Sequence, residues 1–166
     1  MVAFGHSSVG ALVGITAYQT FGHSDIALGL ISTGFLGWLS HYLADFIPHG
    51  HFFRSMKNYE GKIIWVILFD LLMPIILLLS LAHFSGKGAV EILYLVFGIG
   101  GAQLPDVLDG LKRIELLPKL KIFKIENDFH MSTHWHGKEE QALLISFRDI
   151  WQIAVLILAI FILTSR

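Results

Sequence analysis

Five stretches of this chain are almost free of Asp, Glu, Lys and Arg, and each is centred on an apolar run. A helix of roughly 20 apolar residues crosses the hydrocarbon core of a bilayer. Because the chain has 166 residues, 54% of them hydrophobic and 15% charged, these stretches occupy most of it. We therefore expect an all-α, polytopic integral membrane protein with one membrane domain over 1–166. The predicted spans lie at approximately 5–22, 26–47, 62–84, 89–105 and 142–164, with a cytoplasmic loop at approximately 106–141.

The fourth apolar run is short, so a re-entrant hairpin is an alternative to a full span there. Five spans would leave ten Lys and Arg residues on the side of the N-terminus and two, Lys87 and Arg166, on the other. Because cytoplasmic loops carry an excess of basic residues, we expect a cytoplasmic N-terminus and an external C-terminus. The expected location is the cytoplasmic (inner) membrane of a bacterium or archaeon. The ten residues are Arg54, Lys57, Lys62, Lys112, Arg113, Lys119, Lys121, Lys124, Lys138 and Arg148.

The composition also excludes several classes of function. A net charge of −1 gives no basic field for nucleic acid. The chain has no cysteine, so disulfides, thiolate metal ligands and Cys nucleophiles are absent together. No Gly-x-Ser-x-Gly or His-Glu-x-x-His motif occurs, which disfavours a serine hydrolase and a zincin protease. Any metal would have to be held by His, Asp and Glu.

His41 and Asp45 lie four residues apart near the end of the second predicted span. On a helix this spacing places both side chains on one face, one turn apart. Ionisable groups inside a span are costly and mark functional sites. The alternative is a structural hydrogen bond between the two. Pro48 then ends the predicted helix, and His49 follows at once.

Other acidic residues and histidines fall near the same predicted membrane face. Asp70 lies roughly 12 Å deep in the third span at 1.5 Å per residue, and its alternative role is an interhelical hydrogen bond. Asp106 follows the fourth predicted span directly and could instead cap a following helix. His130 and His134 are one helical turn apart, a good spacing for metal ligands, although a surface histidine cluster without metal is the alternative. In all, seven of the nine histidines fall on the cytoplasmic side.

Mixed imidazole and carboxylate ligands suit divalent metals, with Zn²⁺ as the first expectation and Mn²⁺ or Fe²⁺ as alternatives, in one or two ions. A bound cation would also offset the charge of so many ionisable groups near a membrane. We expect His49 and Asp70 to be catalytic, with His49 as general acid or base and Asp70 as an orienting group or further ligand. The predicted metal ligands are His6, His41, Asp45, Asp106, His130 and His134.

Basic and large apolar residues are mixed in the segment 111–127. Such a mixture is typical of a segment that lies on a membrane surface with anionic headgroups. An ordinary cytoplasmic loop that obeys the positive-inside rule explains it equally well. Membrane lipids are the expected partners, and a lipid is a candidate substrate.

Four short motifs carry a resemblance: Gly5-His6-Ser7, Ser40-His41 with Asp45, Leu104-Pro105-Asp106, and Thr133-His134. In them the chain resembles the membrane-bound metal-dependent hydrolase family, also described as LexA-binding inner-membrane hydrolases. That family carries Gly-His, Ser-His-x-x-x-Asp, Leu-Pro-Asp-x-Asp and His-Arg-x-x-Thr-His-Ser elements. In this chain the Ser-His element precedes Leu-Pro-Asp, and the segment 130–135 lacks the Arg. The stretch 41–51 is also similar to the His-x-x-x-Asp…His segment of zinc-dependent phospholipases C.

Both resemblances imply metal-dependent hydrolysis of an ester. Together with the histidines and carboxylates, they lead us to expect a membrane-embedded hydrolase acting on a phosphoester or ester bond of a lipid or membrane-associated substrate at the cytoplasmic face. The alternative is a non-enzymatic membrane protein that binds metal or protons, either a transporter or a scaffold. A transporter should carry polar residues across the whole bilayer, whereas the far half of the predicted spans is nearly all apolar.

Overall fold

The computed structural model describes residues 3–47, 63–113, 118, 120–133 and 150–165. Helices account for nearly all of these residues, and the described part of the chain contains no β-strand. The prediction of an all-α protein is therefore confirmed. The helices are α1 (Ala3–Phe21), α2 (Ile26–Asp45), α3 (Ile63–Phe84), α4 (Ala89–Arg113), α5 (Lys121–Thr133) and α6 (Ile150–Thr164).

Two helical segments, Ile26–Asp45 and Ala89–Lys112, are long and apolar enough to cross a membrane. The apolar segments Leu71–Phe84 and Ile150–Thr164 are shorter, and α1 carries several polar residues. The described residues thus hold two such helices, fewer than the five spans predicted. A buried helix of a soluble protein meets the same criterion of length and composition, so this criterion alone does not establish membrane crossing.

Helix α4 lies at the centre of the bundle and contacts α1, α2, α3 and α5. Its contact with α1 is made through glycines. A Cβ atom built on Gly10 would lie 2.6 Å from the Gly98 carbonyl oxygen, and one on Gly14 would lie 2.7 Å from the Tyr94 carbonyl oxygen. Side chains at these positions would separate the helices, so glycine allows the backbones of α1 and α4 to touch.

The contact between α2 and α4 is also made through glycines. A Cβ on Gly37 would collide with the Gly98 carbonyl oxygen, and a Cβ on Gly101 would collide with the Gly34 carbonyl oxygen. The close approach brings the C-terminal end of α2 against α4, which places His41 and Asp45 beside Asp106. The closely spaced glycines of the sequence thus serve helix packing.

Polar side chains are concentrated inside the bundle and large apolar ones on its outside. His6, Ser7, His41 and Asp45 are fully buried. A smaller apolar core joins α1, α3, α4 and α6. On the outer faces, large apolar side chains are exposed along α2, α3, α4, α5 and α6, among them Leu28, Ile31, Leu43, Ile76, Phe97, Ile122, Ile157 and Phe161. The core consists of Ala11, Ile15, Leu78, Ala82, Leu95, Ile99, Ala159 and Leu163.

The helix boundaries differ from the predicted spans mainly at Pro105. Proline removes one backbone hydrogen bond and often ends a helix, so the predicted fourth span ends there. In the structure α4 continues through Pro105 to Arg113, and the proline is buried within the bundle. Helix α5 lies within the predicted loop, and positions 142–149 of the fifth predicted span are outside the described residues.

Candidate metal centre

Five side chains from four helices meet at one end of the bundle. His6 is near the start of α1, and His41 and Asp45 are in the last turns of α2. Asp106 lies in the part of α4 beyond Pro105, and His130 lies in the last turn of α5. We refer to these five residues as the His/Asp cluster. Because α1 begins where α2 and α4 end, antiparallel packing alone brings their contributions together.

Asp45 is the centre of the cluster. Its Oδ2 atom lies 3.1 Å from Nε2 of His41 and 3.3 Å from Nε2 of His130. Its Oδ1 atom lies 3.3 Å from Nε2 of His6. One buried carboxylate therefore faces three imidazole rings, each through its Nε2 atom.

Asp106 faces the same three rings from α4 at longer distances. Its Oδ1 atom lies 3.9 Å from Nε2 of His41 and 3.8 Å from Nε2 of His130. Its Oδ2 atom lies 3.8 Å from Nε2 of His6. The Asp106 side chain is 31% exposed, whereas those of the other four residues are at most 3% exposed. Asp106 thus marks the side from which solvent reaches the cluster.

A backbone contact fixes the orientation of His41. Its Nδ1 atom lies 2.7 Å from the Ala102 carbonyl oxygen, which can only accept a hydrogen, so we assign the Nδ1–H tautomer. Nε2 of His41 then carries a lone pair directed at the cluster. This is the arrangement typical of a metal-ligating histidine, whose other ring nitrogen donates to a carbonyl or carboxylate.

The distances between these donor atoms fit a bound cation. Ligand atoms about 2.0–2.1 Å from a metal are separated by about 3.4 Å in tetrahedral geometry. The contacts between His41 and His130 and between each aspartate and the three histidines of the cluster span 3.0–3.9 Å. In two groups, His6–His41–Asp45 and His41–Asp106–His130, the three possible ligand atoms all lie within 4.8 Å of one another. The structure therefore supports the predicted capacity to bind a metal ion, and these distances do not distinguish one metal from another.

The electrostatic environment also favours a cation. Burial disfavours the protonated form of His130, but Asp45 and Asp106 outweigh burial and raise the pKa of His130 above its ordinary value. The two carboxylates thus stabilise positive charge at this point of the bundle. A divalent cation would use the same field.

Helix α5 is joined to the bundle by Tyr42, the residue after His41. The Tyr42 hydroxyl donates a hydrogen bond of 2.9 Å to Oε1 of Glu126. The Tyr42 ring lies 4.8 Å from the ring of Phe129 and 6.0 Å from that of His130, between centroids. These contacts hold α5 where His130 reaches Nε2 of His41.

A second hydrogen bond joins α1 to α4 near the cluster. Nε2 of Gln103 donates to Oγ of Ser7 over 2.6 Å, and both side chains are buried. Ser7 is the residue next to His6, and Gln103 lies three positions before Asp106. It therefore fixes the relative position of two ligand-bearing turns.

The structure brings together five of the six predicted metal ligands: His6, His41, Asp45, Asp106 and His130. The sixth, His134, and the predicted general acid or base His49 lie outside the described residues. Asp70 lies on α3, but its side chain is not among those that the structure describes. The roles of these three residues stay predictions.

The residues that position the His/Asp cluster were not predicted from the sequence. Glu126 is four positions before His130, so a search for carboxylates on the same helical face could have found it. Tyr42 could have been found only by knowing that α5 packs against α2. The Ala102 carbonyl carries no sequence signal, because every residue has a backbone carbonyl and only its direction matters here.

Comparisons of the chain with protein-family models, with curated proteins and with solved structures gave no match. The features of the chain that bear on its function are therefore the His/Asp cluster and the distribution of polar and apolar side chains.

Proposed function

We propose that the protein is a membrane-embedded, metal-dependent hydrolase that cleaves a phosphoester or ester bond of a lipid or membrane-associated substrate at the cytoplasmic face. The observation that carries the proposal is the convergence of three imidazole Nε2 atoms and two carboxylates in the His/Asp cluster. A structural ion pair needs two partners, whereas five converging donor groups are typical of metal coordination.

A bound divalent cation would lower the pKa of a coordinated water, which supplies hydroxide near neutral pH. In the overall reaction, the water oxygen bonds to the phosphorus or acyl carbon, the bond to the leaving oxygen breaks, and that oxygen takes a proton. His49 remains the predicted donor of this proton. Exposure of Asp106 on the solvent side supports an open position for water and substrate.

Zn²⁺ is the first candidate for the metal, with Mn²⁺ and Fe²⁺ as alternatives. Imidazole is a good ligand for zinc and iron, and carboxylates suit manganese and iron as well. The mixture of three histidines and two aspartates therefore supports this group of metals over Mg²⁺ or Ca²⁺, which prefer oxygen ligands alone.

The proposal includes five helices, α1, α2, α3, α4 and α6, within the bilayer. The exposed apolar side chains on the outside of the bundle and the buried polar ones inside support it, because lipid replaces water at the outer face. The uneven distribution of Lys and Arg supports a cytoplasmic N-terminus. The His/Asp cluster would then lie toward the cytoplasmic face.

Helix α5 has three faces that suit a helix lying on a membrane surface. His130 and Thr133 face the bundle and are buried. Ile122, Ile125 and Phe129 share a second face and are 49–65% exposed. The third face is charged and includes Lys124, which forms an exposed ion pair with Asp128 over 2.6 Å. Protein, acyl chains and water can each contact one face.

The test of this function is a hydrolysis assay on detergent-purified protein loaded with Zn²⁺, Mn²⁺ or Fe²⁺. The substrates are p-nitrophenyl phosphate, bis-p-nitrophenyl phosphate, p-nitrophenyl acetate and phosphatidate. We expect metal-dependent hydrolysis of at least one, abolished by EDTA and reduced about 10–100-fold or more by Asp45→Asn. The control His83→Ala changes an exposed histidine outside the His/Asp cluster and should keep full activity.

Two outcomes would contradict the proposal. Equal rates for the wild type and Asp45→Asn would show that the hydrolysis does not depend on the His/Asp cluster. Metal-loaded protein that hydrolyses none of the substrates but moves metal ions or protons across liposomes would favour the transporter.

A further inference from the structure

The two carboxylates of the His/Asp cluster divide their oxygens between the histidines in the same way. Asp45 presents Oδ2 to His41 and His130 and Oδ1 to His6. Asp106 presents Oδ1 to His41 and His130 and Oδ2 to His6. We propose that the centre holds two divalent cations bridged by Asp45 and Asp106. The inference rests on the proposed metal-dependent function and specifies the number of ions that it uses.

The first position is formed by Nε2 of His41, Nε2 of His130 and one oxygen from each aspartate. The two nitrogens lie 3.0 Å apart, and Oδ2 of Asp45 lies 3.1 and 3.3 Å from them. Oδ1 of Asp106 lies 3.9 and 3.8 Å from the same nitrogens. These five separations are distributed around the value of about 3.4 Å expected for a tetrahedral set of ligands. One cation fits among these four atoms.

The second position is formed by Nε2 of His6 with the remaining oxygens of Asp45 and Asp106. His6 is completely buried, and its Nε2 atom approaches Oδ1 of Asp45 at 3.3 Å without the geometry of a hydrogen bond. A buried polar group without such a bond is unfavourable. A cation bound by Nε2 and the two carboxylates would satisfy that nitrogen and explain why a histidine lies there.

The rings of His6 and His41 indicate that they bind different ions. They are stacked, with centroids 3.7 Å apart and an angle of 18° between their planes. An imidazole lone pair lies in the plane of its ring, so two nearly parallel stacked rings direct their lone pairs along separate lines. One cation cannot lie on both lines. The ring separation instead resembles the spacing of about 3.5–4 Å between the ions of two-metal sites.

Two bridged ions would favour the phosphoester part of the proposed substrate range. Such pairs stabilise the attacking and leaving oxygens on opposite sides of a phosphorus atom undergoing in-line displacement. The carboxylic ester, with one carbonyl oxygen to polarise, needs one ion only. We therefore expect phosphomonoesters or phosphodiesters to be better substrates than carboxylic esters.

The test is reconstitution of the full-length metal-free protein with Mn²⁺, followed by metal analysis and electron paramagnetic resonance. We expect the wild type to bind two Mn²⁺ per chain and to give the spectrum of a spin-coupled pair. His6→Ala should bind one Mn²⁺ and give the spectrum of an isolated ion. The control His83→Ala should match the wild type.

The outcomes separate this inference from the proposed function. A wild type that binds one uncoupled Mn²⁺, lost in His41→Ala and kept in His6→Ala, would overturn the two-ion centre and leave a metal-dependent enzyme. A folded wild type that binds no ion would overturn both. If His6→Ala does not fold, the stoichiometry and spectrum of the wild type still decide the number of ions.

Discussion

Nε2 of His41 lies 3.0 Å from Nε2 of His130, although the two residues are 89 positions apart and belong to different helices. His41 donates its only ring hydrogen to the Ala102 carbonyl oxygen in the assigned tautomer. The two facing nitrogens therefore need a proton on His130 or a cation bound to both. This contact joins the position of α5 to the charge state of the His/Asp cluster.

We first predict that metal binding releases a proton from His130. The carboxylates of Asp45 and Asp106 raise the pKa of His130 despite its burial. Below this raised pKa the metal-free protein keeps the proton, so apparent metal affinity should fall as pH decreases through it. Titration calorimetry in buffers of different ionisation enthalpy measures the protons released per ion. His130→Ala should release fewer protons than the wild type near neutral pH, and an equal number would contradict the prediction.

The second prediction concerns the hydrogen bond from Tyr42 to Glu126. Tyr42→Phe removes the donor, so α5 should hold His130 less firmly. A hydrogen bond to a charged group contributes about 1.5–3 kcal/mol, and for this partly buried pair we expect roughly tenfold weaker metal binding. Glu126→Gln keeps an acceptor oxygen and should bind metal almost as well as the wild type. Competition with a chelating dye measures these affinities.

The role of Tyr42 through His130 can be separated from a general effect on folding. In a His130→Ala background, Tyr42→Phe should have little further effect on metal affinity, because the ligand that it positions is gone. If Tyr42→Phe weakens binding equally in both backgrounds, Tyr42 does not act through His130.

A third prediction compares two glycines on α4. A Cβ on Gly98 would collide with the backbone of α1, whereas a Cβ on Gly100 would meet nothing within 4 Å. Gly98→Ala should therefore lower the free energy of unfolding by about 1–3 kcal/mol. Gly100→Ala should be neutral or stabilising by up to about 1 kcal/mol, since alanine favours the helix. Thermal unfolding in detergent measures both, and equal effects would contradict the proposed packing.

The fourth prediction places one face of α5 in lipid. Because the chain has no cysteine, a single introduced cysteine can carry one spin label. In vesicles, a label at Ile125→Cys should be accessible to oxygen dissolved in the acyl chains, and a label at Lys124→Cys should be accessible to a water-soluble nickel complex. Equal access of the water-soluble complex to both positions would show that this face of α5 lies in water.

Members of the His/Asp cluster were predictable from sequence where helix periodicity alone brings residues together. The spacing of His41 and Asp45 places both on one face of α2, and the structure has them 3.1 Å apart. His6 and Asp106 were found because the predicted alternation of spans placed their helix ends on one side. The all-α fold followed from the length of the apolar stretches, since runs of this length are typical of helices and longer than usual strands.

Other features depend on tertiary packing, which local pattern does not encode. The extension of α4 beyond Pro105 runs against the local signal, because proline often ends a helix and here it lies buried inside one. The contact of Tyr42 with Glu126 joins segments far apart in sequence. The opposite orientation of the two oxygens of Asp45 depends on rotamers, which no spacing rule specifies.

The most direct test of the central claim is the metal content of the purified wild type and of the double variant His41→Ala/Asp45→Ala. Circular dichroism and gel filtration in detergent first establish that both are folded, and His83→Ala serves as control. We predict stoichiometric Zn, Mn or Fe in the wild type and in the control, and none in the double variant. A folded wild type without stoichiometric metal, even after incubation with each of the three ions, would contradict a metal centre at the His/Asp cluster.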